Sequence, residues 1–147
     1  MKRLKAIVLG ATGATGQELV KLLLKDSRFS KVIIFVRKNP KIKHDKLTTY
    51  EIDFSRLNEY KGLIHGDVIF SALGTTLLQA GSKTQQYLVD FNYQYEFAKM
   101  GFENKVTHYS LVSSVGANIN SFFFYPKTKG ALEEAVKKLG FKNVYIF

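Results

Sequence analysis

Short apolar runs alternate with amphipathic stretches along the whole chain. Residues 4–9 (Leu-Lys-Ala-Ile-Val-Leu) are almost continuously apolar, as a parallel strand buried on both faces requires. Glycines interrupt at 10–16. Residues 17–25 then carry Leu19, Leu22 and Leu23 on one helical face, widened by Val20 and Leu24. A second strand is predicted over 31–36 and ended by Lys38-Asn39-Pro40. A weaker, alternating strand follows over 47–53, and an apolar, β-branched one over 67–73, closed by Gly74-Thr75-Thr76. Residues 77–82 read as a loop able to act as a lid, and residues 83–100 as one helix. A fifth strand is predicted over 106–112. The next helix, over 125–139, has Pro126 in its first turn and Gly140 at its end. Residues 143–147 read as a sixth strand. Strands alternating with helices specify a parallel sheet covered on both faces, and right-handed crossovers favour a doubly wound, three-layer α/β/α arrangement. No linker is visible, so residues 1–147 read as a single domain.

The glycines sit where this architecture binds ligands. Gly10-Ala11-Thr12-Gly13-Ala14-Thr15-Gly16 joins the first strand to the first helix. That is the context of a dinucleotide site and makes the fold Rossmann-like. Gly10 supplies the sharp turn, Gly13 lets backbone approach a pyrophosphate, and Gly16 lets helix and sheet pack closely. The helix N-terminus offers free N–H groups and positive potential to phosphates, to which Thr12 and Thr15 can add hydroxyl donors and Ala14 its backbone. An NAD site usually ends its second strand in an acid that holds the ribose 2′-OH. Here the strand ends in Arg37 and Lys38, which can bind a 2′-phosphate, so NADP(H) is expected over NAD(H). Asp53 and Phe54 end the third strand, where they could border an adenine. Ala72, Leu73, Gly74 and Thr75 end the fourth, on the ribose and nicotinamide side.

Tyr125 and Lys129 stand at i and i+4 on the start of the last helix, sharing one side of it. An ammonium there is expected to lower the phenol pKa, and such a phenol can exchange a proton with a carbonyl oxygen. Lys129 could also hold the nicotinamide ribose. Ser113 and Ser114 end the fifth strand on the same edge, and one of them could hydrogen-bond a substrate carbonyl. The reaction expected is hydride transfer to or from a small carbonyl or alcohol.

These stretches resemble the short-chain dehydrogenase/reductase superfamily in its atypical, extended-like branch, and within it the NAD(P)-binding oxidoreductases related to the Tat-interacting oxidoreductase. Residues 10–16, 35–38, 53–54, 67–76, 89–93, 111–117 and 125–130 carry the likeness in family order. The resemblance implies NADPH binding through the glycine turn and Arg37. It implies Tyr125 as proton donor with Lys129 in support, and Ser114 rather than Ser113 as the catalytic serine. The superfamily's catalytic Asn has no secure counterpart; Asn92 is the candidate. The family continues past the sixth strand into substrate-binding elements, so the chain reads as ending at its cofactor half. A non-catalytic NADPH-sensing or interaction module on the same fold is the alternative.

Composition narrows this further. The 147 residues are 46% hydrophobic, enough to fill one core. Without Cys there is no disulfide, thiolate metal site or thiol nucleophile. That excludes semialdehyde dehydrogenases and acyl-phosphate reductases, whose glycine turn and leucine-rich helix are similar but whose chemistry needs a Cys. His44, His65 and His108 share no ligand spacing, so no metal site is expected. The net charge of +10 is uneven: residues 1–62 hold 14 basic and 6 acidic side chains, residues 63–147 hold 8 and 6. No aromatic residues interleave the cluster of Arg37, Lys38, Lys41, Lys43 and Lys46, so a 2′-phosphate explains it better than nucleic acid. Phe122, Phe123 and Phe124 read as core or pocket edge. No run approaches the roughly 20 apolar residues of a bilayer span. The apolar N-terminal run is too short for a signal peptide. The expectation is a cytoplasmic protein with a small-molecule partner and no membrane partner; a homodimer is left open.

Overall fold

The computed structural model of the chain describes residues 2–74, 77–113 and 116–147. Six parallel strands form one sheet: β1 (Leu4–Leu9), β2 (Phe29–Val36), β3 (Leu47–Glu51), β4 (Val68–Ser71), β5 (His108–Leu111) and β6 (Asn143–Ile146). Their order is β3-β2-β1-β4-β5-β6. The chain winds outward from β1 in both directions, which opens a crevice where the C-terminal ends of β1 and β4 meet. Each strand lies within one or two residues of the run that predicted it, because a strand buried on both faces is apolar at nearly every position.

Alternate residues of β1 feed the two faces. Ala6 and Val8 pack with Val32, Ile34 and Val36 under Val20 and Leu23 of α1 (Ala14–Lys25). Ile7 and Leu9 pack with Ile33, Phe35, Ile69 and Leu111 on the opposite face. That face is covered by α4 (Gln94–Glu103), by α5 (Phe124–Lys137) and by a 3₁₀ segment (Phe54–Leu63) that the periodicity did not reveal. The result is the expected doubly wound, three-layer Rossmann-like fold.

Two helical expectations need correction. Residues 77–82 are not simply loop: Leu77–Ala80 forms the short helix α2. Its Leu-Leu-Gln-Ala sequence consists of good helix formers, and Gly81, at φ +86°, breaks it. The single helix expected over 83–100 is three pieces, α3 (Lys83–Tyr87), a π-helical turn (Leu88–Tyr93) and α4. The wider turn brings both Asp90 and Gln94 to full burial. No helix among the described residues is long and apolar enough to cross a membrane.

Candidate functional site

Gly10 leaves β1 at φ +78°, a conformation L side chains rarely adopt. A Cβ there would lie 2.5 Å from the backbone carbon of Ala72, so β1 and β4 could not stay together. The Gly13 N–H donates to the Gly10 carbonyl at 3.2 Å, and Gln17 Nε2 donates to the Thr12 carbonyl at 2.7 Å. The second bond was not foreseen; it ties the turn to the helix it opens. Gly13 is the N-cap of α1, no side chain caps that end, and its first turn holds no acid. Thr12, Gly13, Ala14 and Thr15 are exposed there, while Gly16 is buried against the turn.

Above the turn lies a cleft of about 1090 Å³. Gly10, Ala11, Thr12 and Gly13 line one wall, and Ala72, Leu73 and Gly74 from the end of β4 line another. Arg37 and Lys38 form the rim after β2, and Asp53 and Phe54 the rim after β3. A Cβ on Gly13 would meet nothing closer than the Gly10 carbonyl at 3.5 Å, so protein packing does not demand glycine there. The space it leaves faces the cleft. No carboxylate among the described residues pairs with Arg37 or Lys38. Open space, an uncapped helix N-terminus and unpaired cations together suit a phosphate-bearing dinucleotide.

Asp53 is already engaged. Its Oδ1 accepts from the Ser55 hydroxyl at 2.6 Å and from the Ser55 N–H at 2.9 Å, which hold its carboxyl below the usual range. Phe54 is mostly buried, its ring 5.7 Å from that of Tyr93. Both still border the cleft, beside Asn39, Ser55, Gln79, Gln85 and Tyr93, which the sequence did not single out. Those residues come from five separate segments, and no local spacing links them.

At the inner end, α5 places Lys129 Nζ 5.9 Å from the centre of the Tyr125 ring. Lys129 is 3% exposed, and its Nζ is 3.9 Å from Oδ1 of Asp90, which is fully buried. The pair lies directly under the cleft wall: a Cβ on Gly74 would be 3.5 Å from Asp90 Oδ1 and 3.7 Å from Lys129 Nζ. Asp90 is the residue of the π-helical turn that pairs with Lys129. An acid inside Leu88-Val89-Asp90-Phe91 was the available signal.

The Tyr125 phenol corrects the expectation of a lowered pKa. Burial pushes it above its ordinary value and the Asp90 charge adds to that. Burial also lowers Lys129, opposed by Asp90 and Glu133. An ammonium partnered by a carboxylate has little net charge left to stabilise a tyrosinate.

Ser114 and Thr75 lie outside the described residues. The Ser113 hydroxyl donates to Glu133 Oε2 at 2.8 Å, joining the end of β5 to α5. Phe122 and Phe123 are solvent-exposed, so the core reading fails for both. Among the described residues no group of His, Asp or Glu could hold a metal ion.

A family described as NAD(P)H-binding matches residues 10–142. The mitochondrial protein FMP52 of Candida albicans is 36% identical over 148 residues, covering 97% of this chain and 65% of that protein. The rat protein HTATIP2 is 33% identical over 151 residues, covering 100% and 62%. The chain thus spans under two thirds of the length of these relatives. Among solved structures, the Bordetella bronchiseptica enzyme WbmH in complex with NAD+ superposes with a TM-score of 0.79 at 15% identity, covering 99% of this chain and 56% of that one. The fold is therefore shared with it. The cytoplasmic expectation is overturned: FMP52 relatives from several fungi are named as mitochondrial. That expectation rested on lacking a bilayer span and a secretory signal, neither of which bears on mitochondria.

Proposed function

The chain belongs to the NAD(P)H-binding family, and on that premise we propose that it is the cofactor-binding body of an NADP(H)-dependent oxidoreductase of the short-chain dehydrogenase/reductase type. The observation that carries this reading is one continuous cleft. It runs from the unpaired Arg37 and Lys38, past the glycine turn, to the wall beneath which Lys129 lies. Backbone N–H groups of Gly13, Ala14 and Thr15 and the hydroxyls of Thr12 and Thr15 receive the pyrophosphate, with Gly10 and Gly16 setting the turn. Arg37 forks onto the 2′-phosphate and Lys38 adds charge, which selects NADP(H) over NAD(H). Asp53 and Phe54 border the adenine. Leu73, Gly74 and Thr75 flank the nicotinamide side, and Lys129 holds its ribose. The nicotinamide of the bound cofactor supplies hydride chemistry.

Tyr125 serves as proton donor to the oxygen of a small carbonyl substrate. A phenol pushed up by burial stays protonated at neutral pH, which suits reduction. Ser114 hydrogen-bonds that oxygen, since the Ser113 hydroxyl is committed to Glu133. The test is NADPH oxidation against a panel of small aldehydes and ketones, comparing the native protein with Tyr125→Phe. The reading expects turnover in the first and at least a hundredfold loss in the second, on the order of a missing general acid. Equal inertness of both, with NADPH still bound, would leave a cofactor-sensing module instead.

A further inference from the structure

Lys129 presents a physical problem of its own. An ammonium 3% exposed has lost nearly all its water, and an uncompensated charge in such a place sheds its proton or swings out. Two carboxylates are near enough to act on it. Glu133 follows by one turn of α5, but it accepts the Ser113 hydroxyl at 2.8 Å. Asp90 comes from the π-helical turn, with Oδ1 3.9 Å from Lys129 Nζ. That turn is itself anchored. Gln94 Nε2 donates to the carbonyl of Leu73 at 2.8 Å and to that of Val89 at 3.3 Å, and Gln94 Oε1 accepts from the Ser71 hydroxyl at 2.8 Å. The end of β4, the π-helical turn and the Lys129 head are thus locked together beneath Gly74.

We infer that Asp90 is a positioning residue, which holds the Lys129 ammonium charged and in place below Gly74 at the inner end of the cleft. The inference deepens the oxidoreductase reading and rests on it for the role of Lys129, although the pairing is a property of the chain alone. Among the described residues, the other charged and titratable groups facing Lys129 are Glu133 and Tyr125, both on α5. On α3, Lys83 lies over the Phe124 ring. Removing the Asp90 charge withdraws a cause that raises both Lys129 and Tyr125. Both groups then lose their protons at lower pH, so the two effects have the same sign.

The experiment follows Lys129 by its side-chain NMR signals during a pH titration of the cofactor-free protein, assigned by Lys129→Met. In Asp90→Asn the Lys129 midpoint falls by a unit or more. An unchanged midpoint overturns the inference, whatever the enzymatic activity. In the active protein, the high-pH limb of kcat/KM moves to lower pH in Asp90→Asn and returns toward the native position in Asp90→Glu. A uniform loss at all pH, with no shift of the limb, makes Asp90 merely structural and also overturns it. If native protein shows no turnover, the oxidoreductase reading fails and the NMR titration still decides the pairing. Should Asp90→Asn fold poorly, thermal melting of Asp90→Asn with Lys129→Met replaces the titration. The double variant melts above the single one if the charges are paired. Strictly additive losses count against the pairing.

Discussion

A Cβ on Gly16 would fall 1.8 Å from the carbonyl oxygen of Gly10, although the two are six positions apart in the chain. The first turn of α1 therefore rests on the end of β1, and Gly16 is required by the protein itself. Gly13 is not, since a Cβ there meets nothing within 3.4 Å. The two glycines should separate in experiment. Gly16→Ala should cost about 1–3 kcal/mol in denaturant unfolding, as overpacking does. Gly13→Ala should change stability by less than about 1 kcal/mol, the scale of an N-cap exchange, while weakening NADPH binding severalfold. Equal losses of stability would mean that both glycines serve packing.

The serines at the end of β5 make a second pair. Ser113 donates to Glu133 from a half-buried position. Ser113→Ala should therefore destabilise the protein by about 1.5–3 kcal/mol, the range for a hydrogen bond to a charged group. It should leave kcat within about threefold. Ser114→Ala should do the reverse, lowering kcat strongly with little change in the melting curve. Steady-state kinetics beside thermal melting reads both, and an exchange of the two phenotypes would assign catalysis to Ser113.

Alkaline stability should depend on Tyr109. Its phenol is fully buried, stacks on Phe141 at 5.2 Å, and burial raises its pKa far above the ordinary 10.0. Between the ordinary value and the folded one, the native state keeps a proton that the unfolded chain releases. Stability therefore falls as pH rises above about 10. Tyr109→Phe keeps the ring and removes the proton, so it should flatten that fall. Urea unfolding from pH 8 to 11 checks this; an unchanged slope would place the alkaline sensitivity elsewhere.

How much of this was legible in the sequence follows from how local each feature is. β1 was readable to the residue because burial on two faces makes Leu4–Leu9 apolar almost throughout. The glycine turn was readable because backbone geometry and ligand space both demand specific residues at fixed spacing. The place of Arg37 and Lys38 on the cleft rim was readable because they directly follow β2. The π-helical turn was not, because one inserted residue leaves the apolar periodicity on either side intact. Asp90 lies inside the family-like stretch 89–93, but its burial beside Lys129 was hidden for the same reason. Gln94 was missed as well: besides the nearby carbonyls of Val89 and Asp90, its partners are Ser71 and Leu73, more than twenty residues away at the end of β4, which no local pattern announces. The Tyr125–Lys129 spacing gave the geometry correctly and the direction of the phenol shift wrongly. Spacing reports neighbours, and burial, which decides the sign here, depends on the whole fold.

The cleft is proposed to take NADP(H) with its 2′-phosphate at Arg37. Titration calorimetry of NADPH and NADH into the native protein and Arg37→Asp tests it most directly. Native protein should bind NADPH at least tenfold more tightly than NADH, and Arg37→Asp should remove this preference while keeping the fold. A native protein that binds neither, or an Arg37→Asp protein whose NADPH affinity is unchanged, would contradict it.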